Sequence, residues 1–64
     1  MKFLIELNGD DDAMQRSPAY ELYKALRGIH WPELIKAHLW AGDSITHRVR
    51  DSNGNSIGTA TVQE

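Results

Sequence analysis

Two runs of oxygen-bearing side chains are the first candidates for chemistry in this chain: Asp10-Asp11-Asp12 and Asp51-x-Asn53-x-Asn55. The first could hold a hard cation or mimic nucleic-acid charge. Consecutive residues of an extended loop point in different directions, however, whereas calcium loops space their ligands by two. The triplet therefore reads as a solvated loop ahead of a helix. The second run has the alternate spacing and resembles the opening of an EF-hand loop. It breaks afterwards, with Ser56 at the glycine position and Val62 where a bidentate glutamate is required. Asx hydrogen bonding in a turn accounts for Asp51, Asn53 and Asn55 without a metal.

The remaining chemical groups are sparse. His30, His38 and His47 lie on three different elements, and none is paired at the i, i+4 spacing that puts two imidazoles on one helix face. His38 and His47 fall on apolar faces, where a hydrogen-bonded core histidine is commoner than a ligand. There is no cysteine, and Ser17 and Ser44 read as cap or loop residues. No glycine-rich phosphate cradle precedes a helix. The expectation is a protein without catalytic residues, cofactor or metal.

Two groups are left for binding. Arg48 and Arg50 stand two residues apart on one strand, with Thr46, Thr59 and Thr61 on the same face. They form a basic, hydroxyl-lined surface suited to phosphate or carboxylate, although such arginines also protect a strand edge. Trp31 and Trp40 flank a short helix, with Tyr20 and Tyr23 on the helix before it. A small core does not readily enclose two tryptophans, and partly exposed aromatics are enriched at interfaces. Trp31, Trp40, Tyr23, Arg48 and Arg50 are thus the candidate partner-binding residues.

The elements that must position them follow from the patterning. Phe3, Ile5 and Leu7 alternate with Lys2, Leu4 and Glu6, which predicts a strand with one face on a core. Ser17-Pro18 marks a helix start, with serine as N-cap and proline in the first turn. Ala19, Leu22, Leu26 and Ile29 then recur as an apolar stripe, with Tyr23 beside them. Gly28 and Pro32 interrupt the pattern. This predicts a first helix over Pro18 to Arg27, a corner at Gly28 to Trp31, and a second helix over Pro32 to Trp40 that ends at Gly42. Leu34, Ile35, His38 and Leu39 form its apolar stripe; one kinked helix is the alternative.

Asn53-Gly54 separates two strand-like segments and predicts a two-residue type I′ hairpin turn. That register sets Arg50 opposite Ile57, Val49 opposite Gly58, His47 opposite Ala60 and Ile45 opposite Val62. One face then carries Ile45, His47, Val49, Gly58, Ala60 and Val62, and the other Thr46, Arg48, Arg50, Ile57, Thr59 and Thr61. The fold class is α+β: a single β-α-(α)-β-β domain over residues 1–64, with a short antiparallel sheet and helices packed on one face.

A 64-residue chain buries about 60% of its unfolded surface, so its core is small and its stability marginal. The net charge of −2 argues against a dedicated polyanion binder. The apolar run at the N-terminus is cut by Glu6, too short for a signal peptide or a membrane span. The expectation is a soluble intracellular domain without a membrane.

Three segments resemble small, mostly uncharacterised proteins of tailed bacteriophages and their prophages. These are Ile-Glu-Leu-Asn-Gly-Asp-Asp-Asp-Ala-Met from Ile5 to Met14, the Glu-Leu-x-x-x-Leu-Arg run from Glu21 to Arg27, and Arg-Asp-x-Asn-Gly-Asn-x-Ile-Gly from Arg50 to Gly58. The resemblance covers about two thirds of the chain. The segment from Gly28 to Asp43 departs from it, being longer and more apolar. The resemblance implies a phage or prophage origin, the cytoplasm of a bacterial host as location, and no activity or binding residues that carry over. Together with the surplus aromatics and an exposed sheet edge, it leads to an accessory protein that binds a host protein stoichiometrically, for instance a defence component in the manner of an anti-CRISPR, and that could pair as a homodimer. Nucleic-acid or nucleotide binding through Arg48 and Arg50 is the alternative.

Overall fold

The computed structural model describes residues 1–64. In chain order the elements are β1 (Lys2–Leu7), α1 (Asp12–Arg16), α2 (Pro18–Arg27), α3 (Trp31–Ala41), β2 (Ile45–Arg50) and β3 (Ser56–Gln63). The three strands form one antiparallel sheet in the order β1-β3-β2, so the last strand is central and both other strands are edges. This is the expected small α+β domain, with one added helix.

That helix, α1, occupies part of the segment expected to be loop. Asp11 caps it, its Oδ1 accepting the Met14 amide at 3.0 Å, and Met14 is buried. The α2 helix spans the predicted residues. Ser17 holds the N-cap position, but its side chain makes no capping bond. The break at Gly28 to His30 separates α2 from α3, so there are two helices, not one kinked helix. Gly42 ends α3 at φ 76°, and its N–H bonds the His38 carbonyl at 2.8 Å.

The inward face of α2 differs from the apolar stripe. Glu21, Ala25 and Ile29 are buried, whereas Ala19, Leu22 and Leu26 are exposed. The cause lies in the hairpin loop. The Glu21 carboxylate accepts the Ser52 hydroxyl at 2.7 Å and the Ser52 amide at 3.2 Å, and this contact turns that edge of the helix inward. On α3, His38 is buried and Leu34 and Ile35 are half-buried, but Leu39 points to solvent.

The hairpin keeps the predicted pairing from Ile45 to Val49 by a different route. The loop is three residues long, Ser52 to Gly54, closed by the Asp51 amide on the Asn55 carbonyl at 2.9 Å. Gly54 alone has positive φ, at 83°, so the turn is not type I′. Arg50 consequently pairs with Ser56, not Ile57, and a bulge at Ile57 restores Val49 opposite Gly58. The bulge also moves Ile57 off the polar face. Its side chain is buried in the core with Met14, Ala25, Ile29, Val49 and Ala60, against which Leu7, Trp31 and Leu34 pack.

On β1, Phe3, Ile5 and Leu7 stand opposite Val62, Ala60 and Gly58, which places them on the predicted face. Leu7 packs against the core, but the helices cover Phe3 and Ile5 only in part. α3 packs on β2 and β3, α1 on α2, and the molecule measures 39 × 17 × 16 Å. Phe3 and Ile5 remain 52% and 45% exposed, and only nine residues of the chain are buried.

Candidate interaction surfaces

Three polar clusters hold the elements in place. In the first, Glu21 reaches Ser52 and forms an ion pair with Lys24 at 3.5 Å, tying α2 to the hairpin loop. The Ser52 hydroxyl holds the Glu21 carboxyl below the usual carboxylate range.

In the second, the Asp51 Oδ1 accepts the Asn53 and Asn55 amides at 2.9 and 2.8 Å, the expected Asx geometry. Its Oδ2 is buried without a partner, as is the Oδ2 of Asp11. The two carboxyls neighbour each other between α1 and the hairpin loop. Their mutual contact raises Asp11 and lowers Asp51, whose charge the turn amides also stabilise. Asp11 is therefore not the solvated loop residue expected of it.

A raised carboxyl stabilises the fold below its unfolded value, and that contribution is lost as pH rises through the folded one. At neutral pH the two facing carboxylates repel. Asp11→Asn keeps a good N-cap and lets an amide donate to the Asp51 Oδ2. Its unfolding midpoint should rise by several degrees at pH 7, with a smaller gain near pH 4. Thermal denaturation at both pH values tests this, and a lower midpoint at pH 7 would refute it.

In the third cluster, His38 is a buried, hydrogen-bonded core histidine. Its Nδ1 donates to the Asp43 carbonyl at 2.7 Å and its Nε2 to the exposed Glu64 carboxylate at 2.9 Å. Two acceptors on one ring call for the imidazolium, and the Asp43 carbonyl, then Glu64, raise its pKa. Glu64 is lowered, chiefly by its hydrogen bond to His38. The His38 contribution is full below the unfolded value of 6.5 and fades as pH rises through the raised folded value. The Glu64 contribution is full above 4.5 and is lost as pH falls through its lowered value. Loss of stability between neutral pH and pH 9 should be smaller in His38→Gln than in wild type; equal slopes in urea titrations would contradict this.

The structure brings the expected arginines together and adds to them. Arg48, Arg50, His47 and Lys24 line a groove of about 250 Å³ between α2 and the β2 edge, floored by Ala25, Ile29 and Val49. Two of the cations are engaged within the chain. Lys24 bonds Ser52 and Glu21, and Arg50 Nη1 donates to the Gly54 carbonyl at 2.9 Å. Arg48 makes no side-chain hydrogen bond or ion pair. His47, expected on an apolar face, is exposed at this edge. The face beyond is hydroxylic as expected, with the Thr46 and Thr61 hydroxyls 3.1 Å apart.

No protein-family model matches the chain, and no match is found among curated proteins or solved structures.

The aromatic candidates separate. Nine helical positions put Trp31 and Trp40 on opposite sides of α3. Trp31 is half-buried and meets Phe3 edge to face, centroids 5.5 Å apart at 83°. Trp40 is 91% exposed, and its neighbour Leu39 is 68% exposed. Tyr23 is exposed on α2, where the Arg27 guanidinium lies 6.0 Å from its ring centre and Nη1 donates to its hydroxyl at 3.4 Å. Three participants are not visible in the sequence as surface groups. Lys24 joins the groove from another element, and the apolar pattern puts Phe3 and Leu39 on core-facing stripes. Their apolar character was visible, but their lack of cover was not.

Proposed function

We propose that this protein acts by binding another protein stoichiometrically, through the outer end of α3. The observation that carries the reading is the near-complete exposure of Trp40 beside exposed Leu39 on a glycine-capped helix. Tryptophan is among the residues that most often dominate binding energy once enclosed by a partner pocket. Exposing an indole and a leucine side by side runs against ordinary surface composition. The resemblance to small tailed-phage proteins supports a phage or prophage origin and a bacterial host protein as target. A defence component blocked by occlusion is the specific form of this reading, and it rests on that association.

Trp40→Ala should weaken partner binding by about 2 kcal/mol or more, roughly thirtyfold, while leaving the unfolding midpoint nearly unchanged because the side chain is almost fully exposed. Capture from host lysate with wild type and with Trp40→Ala side by side tests this. A single host protein held one-to-one by wild type and released by the variant supports the reading; a partner held equally by both overturns it.

The basic groove favours a second reading, an anion or nucleotide held by Arg48 with Lys24 and Arg50 alongside. Binding of single-stranded DNA or RNA at low salt that falls as Arg48→Ala is introduced would support it, and no binding at low salt would remove it.

A further inference from the structure

The β1 edge is open along its length: every residue from Met1 to Glu6 is exposed, and β1 pairs only with β3. Proteins ordinarily blunt such an edge with charged side chains, a bulge, a proline or a covering element. This strand has charges only towards its ends, at Lys2 and Glu6, and carries Phe3, Leu4 and Ile5 in succession between them. Beside it, Phe3, Trp31 and Ile35 line an entirely apolar groove of about 360 Å³.

We infer that β1 is a homodimer interface, joining two copies edge to edge, antiparallel, into a continuous six-stranded sheet. The strand is complementary to itself in one register. The Asn8 amide bonds the Ile57 carbonyl of β3, and bonding alternates along an antiparallel strand. Leu4 and Glu6 therefore turn their backbone groups towards β3, while Phe3 and Ile5 turn theirs outward. Two outward residues must pair with each other, which restricts the two-fold register to every second position. Centred on Leu4, it sets Phe3 opposite Ile5 of the second copy, where they exchange backbone hydrogen bonds, and Leu4 opposite Leu4.

The same register sets Lys2 opposite Glu6, twice, by symmetry. The adjacent allowed registers, centred on Phe3 or on Ile5, would put Lys2 or Glu6 opposite Leu4 instead. Charge, backbone direction and apolar pairing thus select one arrangement.

The geometry of the two faces agrees. A two-fold axis through Leu4 stands perpendicular to the sheet, so both sets of helices lie on the same side. Phe3 and Ile5 of the two copies then meet between them, with Trp31 and Ile35 flanking the seam. This supplies the cover that the protomer's own helices leave off β1, and the second copy is the occupant whose charges match. Trp40 and Leu39 lie outside this edge, so the pairing is independent of the binding role proposed above.

Light scattering at micromolar to millimolar concentration should show a species of twice 7.2 kDa. Lys2→Glu places like charges at both ends of the seam and should raise the dissociation constant about tenfold. Lys2→Glu combined with Glu6→Lys should restore it. All these side chains are exposed on the open face, so the variants should keep wild-type circular dichroism. Phe3 and Ile5 amides should also gain protection from hydrogen exchange as concentration rises. A 7.2 kDa species throughout the range, a dimer indifferent to Lys2→Glu, or a double variant as weak as the single one overturns the proposal.

Discussion

Gly58→Ala should be the most damaging single substitution of a small side chain in this protein. Gly58 sits on the central strand opposite Leu7, where β1 approaches closely. A Cβ built there overlaps the Glu6 carbonyl oxygen and stands 2.9 Å from both the Glu6 carbonyl carbon and the Leu7 Cα. All three are backbone atoms, so no rotamer change relieves the overlap and the strand itself must move. Overpacking of this kind costs about 3 kcal/mol or more when the obstruction cannot swing aside. A domain of this length holds roughly 3–10 kcal/mol in total. The variant should be substantially unfolded at 25 °C, or retain only the β2–β3 hairpin and helices with β1 detached. Thr59→Ala on the exposed face next to it is the control, expected within about 0.5 kcal/mol of wild type. Urea denaturation followed by circular dichroism separates them. A Gly58→Ala midpoint close to that of the control would mean that β1 does not lie where the structure puts it.

Where the sequence was legible, the information was local. Pro18 and Gly28 bound α2 because proline geometry and the closing backbone bond of the Gly28 amide act within a turn. Gly42 stops α3 for the same reason. The orientation of α2 was not local: Glu21 faces inward because Ser52, thirty-one residues later, donates to it there. A hydrophobic stripe says which face is apolar and not whether anything covers it, and the protomer covers neither Leu22, Leu26, Phe3 nor Ile5 fully. α1 escaped because a single turn shows no periodicity, although Asp11 three residues before Met14 is a capping arrangement. The candidate surfaces divide in the same way. Arg48 and Arg50 share a strand and were grouped from spacing, whereas Lys24 reaches them only through tertiary packing. The two tryptophans looked like one surface in the sequence and became two, since a helix rotates them to opposite sides.

Ile57→Ala should cost about 2–5 kcal/mol, the range for deleting a buried isoleucine side chain where the cavity cannot collapse. The reason extends beyond the lost contacts. Asn53-Gly54 is a strong type I′ signal, and the two-residue turn it favours would set Arg50 opposite Ile57 with no bulge. The observed hairpin instead uses a three-residue loop and one bulged residue, and the two irregularities cancel from Val49 onward. Both arrangements give the same pairing over Ile45 to Val49, so that part of the sheet cannot choose between them. The choice rests on the side chain at position 57, which the bulge turns into the core against Met14, Ala25 and Val49, together with the Asp51 contacts that shape the loop. Threonine is β-branched but polar, and it suits the outward face that the regular hairpin offers at this position. In Ile57→Thr the loop should therefore relax towards the two-residue turn, with Asn53 moving to positive φ and the substituted residue pairing with Arg50. The HN–Hα coupling of Asn53 and cross-strand contacts of Arg50 read this directly by nuclear magnetic resonance. An Ile57→Thr hairpin that keeps Arg50 opposite Ser56, with Asn53 unchanged, would show that the loop, not burial of Ile57, dictates the bulge.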